Sequence, residues 1–481
     1  MARTKIVATI GPSSADEATI RLLIGAGMNV ARMNFSHGTQ DWHRETVALL
    51  RKVAEEERTV LAILGDLQGP KLRLGNVQEG GINLNLGEEL LLTRYRGQPN
   101  MLHLPHPELM SAIRPGARLV FGDGEMEVQV TENRGDVLVC TVTVPGLLEA
   151  RKGVNAPGTQ LPLSSITDKD RDDLRLVCEL DLDFVALSFV RTADDIEELR
   201  GMMEQYDAKI PIIAKIEKAE AIQQLAAISL AADGMMVARG DLGIDMPPQE
   251  VPLLQKRIIR VCNEAGKPVI TATQMLQSMV DHPRPTRAEA SDVANAILDG
   301  TDAVMLSAES ASGKYPVESV QMMIRIATII ESAFPYNEWQ QRRRGNQRDA
   351  TDRENPSSVT AAISTASVAI AEIVDARAIV TSTMSGYTAR QIARHRPIME
   401  ILAVSPQRST QRRLALTWGV QCETIESNYV GTDNMLAETV SIVRSCGFRK
   451  GERVVITAGI PFGQTGKTNL IKVHEIGDPV G

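Results

Sequence analysis

Residues Pro211–Glu217, PIIAKIE, and Gly234–Leu242, GMMVARGDL, decide the fold. Each is a short apolar run that ends abruptly in charge, Lys215 and Glu217 in the first, Arg239 and Asp241 in the second. Runs this short, rich in Ile, Val, Met and Ala and bounded by Gly or Pro, suit parallel strands buried on both faces. Working outward, the pattern recurs as KIVATIG from Lys5, NVARMNF from Asn29, LAILGDL from Leu61, FVALSF from Phe184, PVITAT from Pro268 and AVMLSAE from Ala303. Amphipathic stretches fill the gaps; VPLLQKRIIRVCNEAG, from Val251, spaces its apolar residues helically and ends on Gly266. Eight strand–helix units predict an α/β protein built on a (β/α)8 TIM barrel over 1–68 and 152–334. An open doubly wound sheet rarely needs eight strands. Arg32, Asn34, Asp66, Ser188, Lys215, Glu217, Asp241, Thr273 and Glu309 all fall near or just past a strand's C-terminal end, where barrel enzymes build their sites.

Residues 69–151 interrupt the barrel after its third strand. INLNLGEELLLTRY and ARLVFGDGEMEVQVTENRGDVLVCTVTV alternate with period two, with turn signals at Gly122–Gly124 and Asn133–Gly135, which predicts an inserted small β-barrel domain. Its hinges, QGPK and KGVNAPG, contain Gly and Pro, as a lid's would. After Glu331, NEWQQRRRGNQRDATDRENPSS reads as a linker or exposed crossing. A C-terminal α/β domain over 335–481 follows, with strands expected at RAIVTST, MEILAVS, VQCETIE, RVVITAG and NLIKVHEI.

Composition narrows the class. At 481 residues the chain exceeds a single core and calls for roughly two to four domains. Hydrophobic residues at 43% and charged residues at 23% exclude wholesale disorder, and a net charge of -8 argues against a general nucleic-acid or membrane surface. Five scattered cysteines without a CxxC pair indicate neither a disulfide framework nor a zinc knuckle. With no signal-like N-terminus and no apolar run of membrane-spanning length, a cytoplasmic location is expected.

The chemistry centres on AKIE, Ala214–Glu217, whose lysine and carboxylate alternate on a strand and so point into one space. The bland reading is an ion pair that closes a barrel layer, since buried Lys and Glu are almost always paired. Asp241 ends the next run, and two carboxylates with room for water and substrate oxygens suit Mg²⁺ or Mn²⁺. Lys215 beside them suits a phosphate or a developing enolate. In RMNFSHG, Arg32 offers a planar fork for phosphate, while Asn34, Ser36 and Asp66 offer oxygens to a cation; Asn and Ser there also serve as helix caps. Thr273 in ITATQML could relay a proton or merely cap. GQTGKT, Gly463–Thr468, is rejected as a triphosphate loop: Pro461 stands where its first Gly belongs and a strand, not a helix, follows. VTSTMSGYTARQ, Val380–Gln391, runs strand, loop, helix, and would either bind a sugar phosphate or form an ordinary cap.

Taken together, TKIVATIGPSS, ARMNFSHG, GDLQGPK, KGVNAPG, AKIE, MVARGDLG, ITATQML and RPTRAEASDVANAILDGTDAVMLSAESASGKYPVE resemble the pyruvate kinases. The resemblance covers the barrel and its hinges and weakens in the insertion and the C-terminal unit. It implies Mg²⁺-dependent (or Mn²⁺-dependent) phosphoryl transfer from phosphoenolpyruvate to ADP, giving pyruvate and ATP. By resemblance Glu217 and Asp241 match the divalent ligands and Lys215 the lysine that stabilises phosphoryl and enolate. Arg32 matches a phosphate contact; Gly240, Asp241 and Thr273 match the substrate set, with Thr273 near the proton path. Asn34, His37, Arg73 and Lys152 match nucleotide contacts. Asn34, Ser36 and Asp66 match monovalent-cation ligands, but Leu67 stands where Thr is common and could offer only its carbonyl. Lys71 replaces a Glu usual in potassium-dependent members, so its ammonium is expected to make K⁺ dispensable. The C-terminal unit resembles a regulatory domain, which implies a phosphorylated sugar or nucleotide effector at Thr383, Ser385 and Thr388, closed over by Lys467, in a homotetramer. A metal-dependent barrel lyase or aldolase would not need the insertion or Arg73 and Lys152, and a silent metabolite sensor would not retain Lys215, Glu217 and Asp241.

Overall fold

The computed structural model describes residues 2–480 except 79, 99, 123, 337, 341–356, 426–430 and 461–467. The chain lays down β1 (Lys5–Ile10), β2 (Val30–Asn34) and β3 (Ala62–Asp66), then leaves for the insertion. There it forms β4 (Ile82–Leu84), β5 (Glu89–Thr93), β6 (Leu102–His103), β7 (Arg118–Phe121), β8 (Met126–Asn133), β9 (Val137–Val144), β10 (Gly146–Leu148) and β11 (Val154–Asn155). It returns with β12 (Phe184–Leu187), β13 (Ile212–Ile216), β14 (Gly234–Ala238), β15 (Val269–Ala272) and β16 (Ala303–Leu306). The eight strands β1, β16, β15, β14, β13, β12, β3 and β2 close in that order into a parallel barrel, matching all eight expected runs.

Period two explains both the closure and the site. Val7, Val30, Leu64, Ala186, Ile213, Met236 and Ile270 fill the barrel interior, while their neighbours Ile6, Ala31, Ile63, Val185, Ile212, Met235 and Val269 pack beneath the helices. Apolar demand on both faces makes each strand read as a continuous run. Two residues beyond Val7, Val30, Leu64, Ala186 and Ile213, the same inward face carries Thr9, Arg32, Asp66, Ser188 and Lys215. The polar mouth is therefore the last inward layer of the strands themselves. The helix Val251–Ala265 behaves as its sequence predicts, burying Ile258, Ile259 and Cys262 and stopping at Gly266 with φ 67°.

In the insertion, β11, β7, β8, β9, β5 and β6 form one sheet and β10 with β4 a second, around a core that includes Leu92, Phe121, Val128 and Leu138. The ladder is thus two sheets rather than one closed ring. The short β6, β10 and β11 and the helix Pro107–Ala112 carry no periodic signal and were not legible in the sequence. Beyond the barrel, β17 (Ala378–Ser382), β18 (Glu400–Ser405), β19 (Val420–Thr424), β20 (Arg453–Ala458) and β21 (Leu470–Glu475) pair in the order β19, β18, β17, β20, β21, only β21 being antiparallel. All five were expected, and β21 is the strand that follows GQTGKT, whose residues up to Lys467 lie outside the described ones, as does most of the charged linker. Among the described residues no helix is long and apolar enough to cross a membrane.

The C-terminal unit plugs the barrel end opposite the mouth. Ala415 and Leu416 join the interior cluster, and Lys5, also inward-facing, donates from Nζ to the Val420 carbonyl at 2.7 Å. Burial dominates this ammonium and pulls its pKa from 10.5 down to about 8, against the opposite pull of Glu331 and Cys422. Between those values the unfolded chain holds a proton that the folded chain has released, so stability rises with pH across that window. The gain is on the order of 3 kcal/mol. Urea midpoints measured at pH 8 and pH 10 should therefore rise in the wild type and stay flatter in K5M; an equal rise in both would exclude Lys5 as the source.

Candidate active site

Lys215 stands at the centre of the mouth. Its Nζ donates to Ser188 Oγ at 2.7 Å and lies 3.3 Å from Asp66 Oδ1 and 2.9 Å from Glu217 Oε1. The two-residue spacing of Lys215 and Glu217 thus puts both on the inward face, as strand geometry requires. Asp66 also accepts Arg32 Nε at 2.7 Å, and Arg32 Nη1 donates to Thr9 Oγ1 at 2.9 Å. Burial lifts the Asp66 carboxyl, but Lys215 and Arg32 outweigh it and hold it below the ordinary carboxylate range. Burial likewise pulls the Lys215 ammonium down, and Asp66 and Glu217 more than reverse that, keeping it firmly protonated. Glu217 goes the other way: burial raises its carboxyl, Lys215 opposes, and Asp241 adds to the rise.

Three carboxylates, Asp66, Glu217 and Asp241, therefore share the mouth with two cations, Arg32 and Lys215. Glu217 Oε2 accepts the Phe189 N–H at 2.8 Å, whereas the buried Oε1 faces the Lys215 ammonium at 2.9 Å. Three carboxylates against two cations leave the cluster short of positive charge, which fits a hard cation on oxygen ligands. Among the described residues no group of three His, Cys, Asp or Glu side chains is arranged for a metal. An ion held by the pair Glu217 and Asp241 would take its other ligands from substrate and water, as Mg²⁺ commonly does.

Asp241 lies in the first turn of the helix Arg239–Asp245, just beyond β14. Its neighbour Gly240 donates its N–H to Thr273 Oγ1 at 2.8 Å, joining the ends of β14 and β15. Thr273 sits at φ 69° and Gln274 at φ 53°, both left-handed. A β-branched residue rarely adopts that region, so the surroundings must hold it there.

A cleft of about 430 Å³ opens between the mouth and the insertion, lined by Lys71, Arg73, Lys152, Lys218, Arg191 and Asp241 among others. Arg73 Nη1 donates to the Arg151 carbonyl at 3.2 Å, and Lys152 pairs with Glu125 at 2.6 Å. Asn34 and His37 do not line this cleft; His37 is exposed on the turn after β2. Three of the four expected monovalent ligands already have protein partners: Asn34 Oδ1 accepts Ser36 N–H at 3.1 Å, Leu67 O accepts the Ser188 hydroxyl at 2.7 Å, and Asp66 holds Arg32 and Lys215. The Lys71 side chain forms no ion pair or hydrogen bond among the described residues and runs beside Gly153 at the opposite hinge. Gly69, in the first hinge, is obligatory: at φ 69° a Cβ would fall 2.6 Å from the Phe189 ring.

In the C-terminal unit, Thr383 and Ser385 lie on the loop after β17, and Thr388 lies in the first turn of the helix Tyr387–Ala393 that follows. Thr383 Oγ1 accepts the Gly386 N–H at 3.0 Å, the Thr388 and Thr468 hydroxyls bond at 2.7 Å, and Ser385 is exposed. Lys467 lies outside the described residues. Sequence reasoning missed Thr9, which holds Arg32, and assigned no role to Arg239; only its place between a strand and Asp241 could have flagged it.

Two family models match: the pyruvate kinase barrel domain over residues 1–320 and the pyruvate kinase alpha/beta domain over residues 361–474. The chain is 46% identical over 483 residues to a pyruvate kinase of Geobacillus stearothermophilus, spanning 99% of this chain and 81% of that protein. It is 43% identical over 486 residues to a pyruvate kinase of Staphylococcus aureus, spanning 100% of this chain and 81% of the relative. With a closed barrel, an inserted β unit, a C-terminal α/β unit and these matches, the chain belongs to the pyruvate kinase family.

Proposed function

We infer that this chain transfers the phosphoryl group of phosphoenolpyruvate to ADP, giving pyruvate and ATP. The observation that carries the reading is the charged cluster of Lys215, Glu217, Asp66 and Arg32, which adjoins, through Phe189 and Asp241, a cleft lined by Arg73 and Lys152. In the reaction the enol oxygen–phosphorus bond breaks, a new one forms to the β-phosphate of ADP, and the enolate carbon takes one proton. Arg32 and Lys215 bind the phosphoryl group, and Lys215 goes on to stabilise the negative enolate oxygen. Gly240, Asp241 and Thr273 seat the substrate, and the Thr273 hydroxyl moves the proton toward the enolate carbon. Arg73 and Lys152 contact the nucleotide from the cleft wall, and Asn34 and His37, which stand outside that wall, contact the part of it that extends beyond the cleft. A divalent cation on Glu217 and Asp241 would neutralise charge on the migrating phosphoryl and the enolate.

The same reading assigns catalysis to a barrel over 1–68 and 152–334, a lid to 69–151 and regulation to 335–481. It includes a cytoplasmic homotetramer and a phosphorylated effector bound near Thr383, Ser385, Thr388 and Lys467. A lyase or a silent sensor would leave the cations of the cleft without a task.

Potassium is dispensable in this proposal, since Arg32 and Lys215 already pair Asp66 and Lys71 adds charge to the cleft wall. A coupled assay of pyruvate formation tests both parts. With Mg²⁺, phosphoenolpyruvate and ADP, pyruvate is expected, and exchanging potassium for tetramethylammonium should change the rate by less than about twofold. A large loss in that exchange would refute the role of Lys71. No pyruvate under any condition would overturn the function.

A further inference from the structure

We propose that Arg239 is a positioning residue for Thr273, an inference that rests on the proton-transfer reading of Thr273 given above. The Arg239 side chain is almost wholly buried, at 12% exposure, and points away from the cleft into the gap between β14, β15 and two helices. All five of its N–H donors are committed. Nε donates to the Ala272 carbonyl at 3.2 Å, and Nη2 to the Thr273 carbonyl at 2.8 Å and to Met275 Sδ. Nη1 donates to Asp292 Oδ1 at 2.7 Å, on the helix Arg287–Leu298, and to Gln255 Oε1 at 3.4 Å, on Val251–Ala265.

Two features make this more than a packing contact. First, the two carbonyls it holds flank the left-handed Thr273, so the guanidinium fork fixes a backbone conformation that a threonine does not adopt unaided. Backbone strain of this kind persists only where the surroundings over-determine it. Second, the Ala272 carbonyl also accepts the Thr273 hydroxyl, at 2.6 Å, while that hydroxyl accepts the Gly240 N–H. The carbonyl therefore has two donors. When the hydroxyl turns its proton toward substrate, Arg239 Nε still satisfies the carbonyl, and the rotation leaves no buried acceptor unpaired. Arg239 thereby both aims Thr273 and frees its proton.

Lysine keeps the charge but cannot span both carbonyls, Asp292 and Gln255 at once. A displacement of about 1 Å costs on the order of 100-fold in rate. R239K is expected to lower kcat by about that factor, with KM for phosphoenolpyruvate changed less than about threefold. In a T273A background the same change should cost less than about twofold, because the group it positions is gone. Exchange of the pyruvate methyl protons with solvent deuterium should fall in R239K as it does in T273A. Should R239K fold poorly, D292N loosens the fork from a half-exposed position, and its smaller loss should likewise vanish in T273A. An equal loss with and without Thr273, or R239K within twofold of wild type, overturns this inference alone. A wild-type enzyme that forms no pyruvate overturns it together with the proposed function.

Discussion

Replacing Lys215 with methionine is expected to cut kcat for pyruvate formation by at least about 10³-fold. Removing a single neutral donor from a charge-stabilising site costs about 10²–10³, and Lys215 is a full charge, buried and fixed by Ser188, Asp66 and Glu217. Methionine fills similar space, so the loss is one of charge. The same change leaves two buried carboxylates short of a cation, a defect of about 3–5 kcal/mol. Its pH dependence has a definite sign. Glu217 already has a raised carboxyl, lifted by burial and restrained by Lys215. Without Lys215 it rises further, and a raised carboxyl favours folding below its ordinary pKa and loses that contribution as pH climbs through the folded value. K215M should thus be closest to wild-type stability in mild acid and furthest from it at neutral pH. K215M/E217Q should regain stability without activity. A K215M enzyme retaining more than about a tenth of wild-type kcat would remove Lys215 from the chemistry.

That Lys215 could be singled out beforehand follows from a local rule. Strand alternation carries the inward face of Ile213 on to Lys215 and Glu217, and Leu64 on to Asp66, so strand ends alone identified most of the mouth. What stayed hidden depends on contacts remote in sequence. Thr9 meets Arg32 only because β1 and β2 are neighbours in register, and Arg239 reaches Thr273 only once β14 and β15 pair. Nothing local marks Thr273 as left-handed. The plug of Ala415 and Leu416 beneath the barrel joins residues hundreds of positions apart and has no periodic trace. In the insertion, strands of two or three residues are too short for any period to register.

The second large effect belongs to that hidden joint, where R396M is expected to destabilise the protein by about 3–5 kcal/mol. Arg396 is fully buried between the C-terminal unit and the foot of the barrel. Its Nη1 donates to Asp302 Oδ1 at 3.0 Å, and its Nη2 to the Gly300 carbonyl at 2.7 Å and Asn263 Oδ1 at 3.1 Å. The guanidinium lies 4.7 Å from the Trp418 ring centre, with Arg3 at 5.3 Å from the same ring. Asp302 in turn accepts the Val269 N–H at 3.0 Å, stapling the starts of β15 and β16. Methionine would leave Asp302 buried without its cation, while the Gly300 carbonyl keeps the Asn263 Nδ2 donor at 3.0 Å. Because the defect is mainly an unpaired charge, R396M/D302N should recover much of the loss, as neutralising both partners of a buried pair usually does. Two of the chain's three tryptophans, Trp339 and Trp418, flank Arg396, so intrinsic fluorescence should report the opening of this joint before the barrel unfolds. Asp302 precedes its strand, at the barrel end opposite the mouth, where residues serve stability rather than chemistry. At temperatures where R396M remains folded, its kcat should therefore stay within about twofold of wild type. A urea midpoint unchanged by R396M would mean that the joint is held by the Leu416 plug and the aromatic stack instead of the Arg396–Asp302 pair.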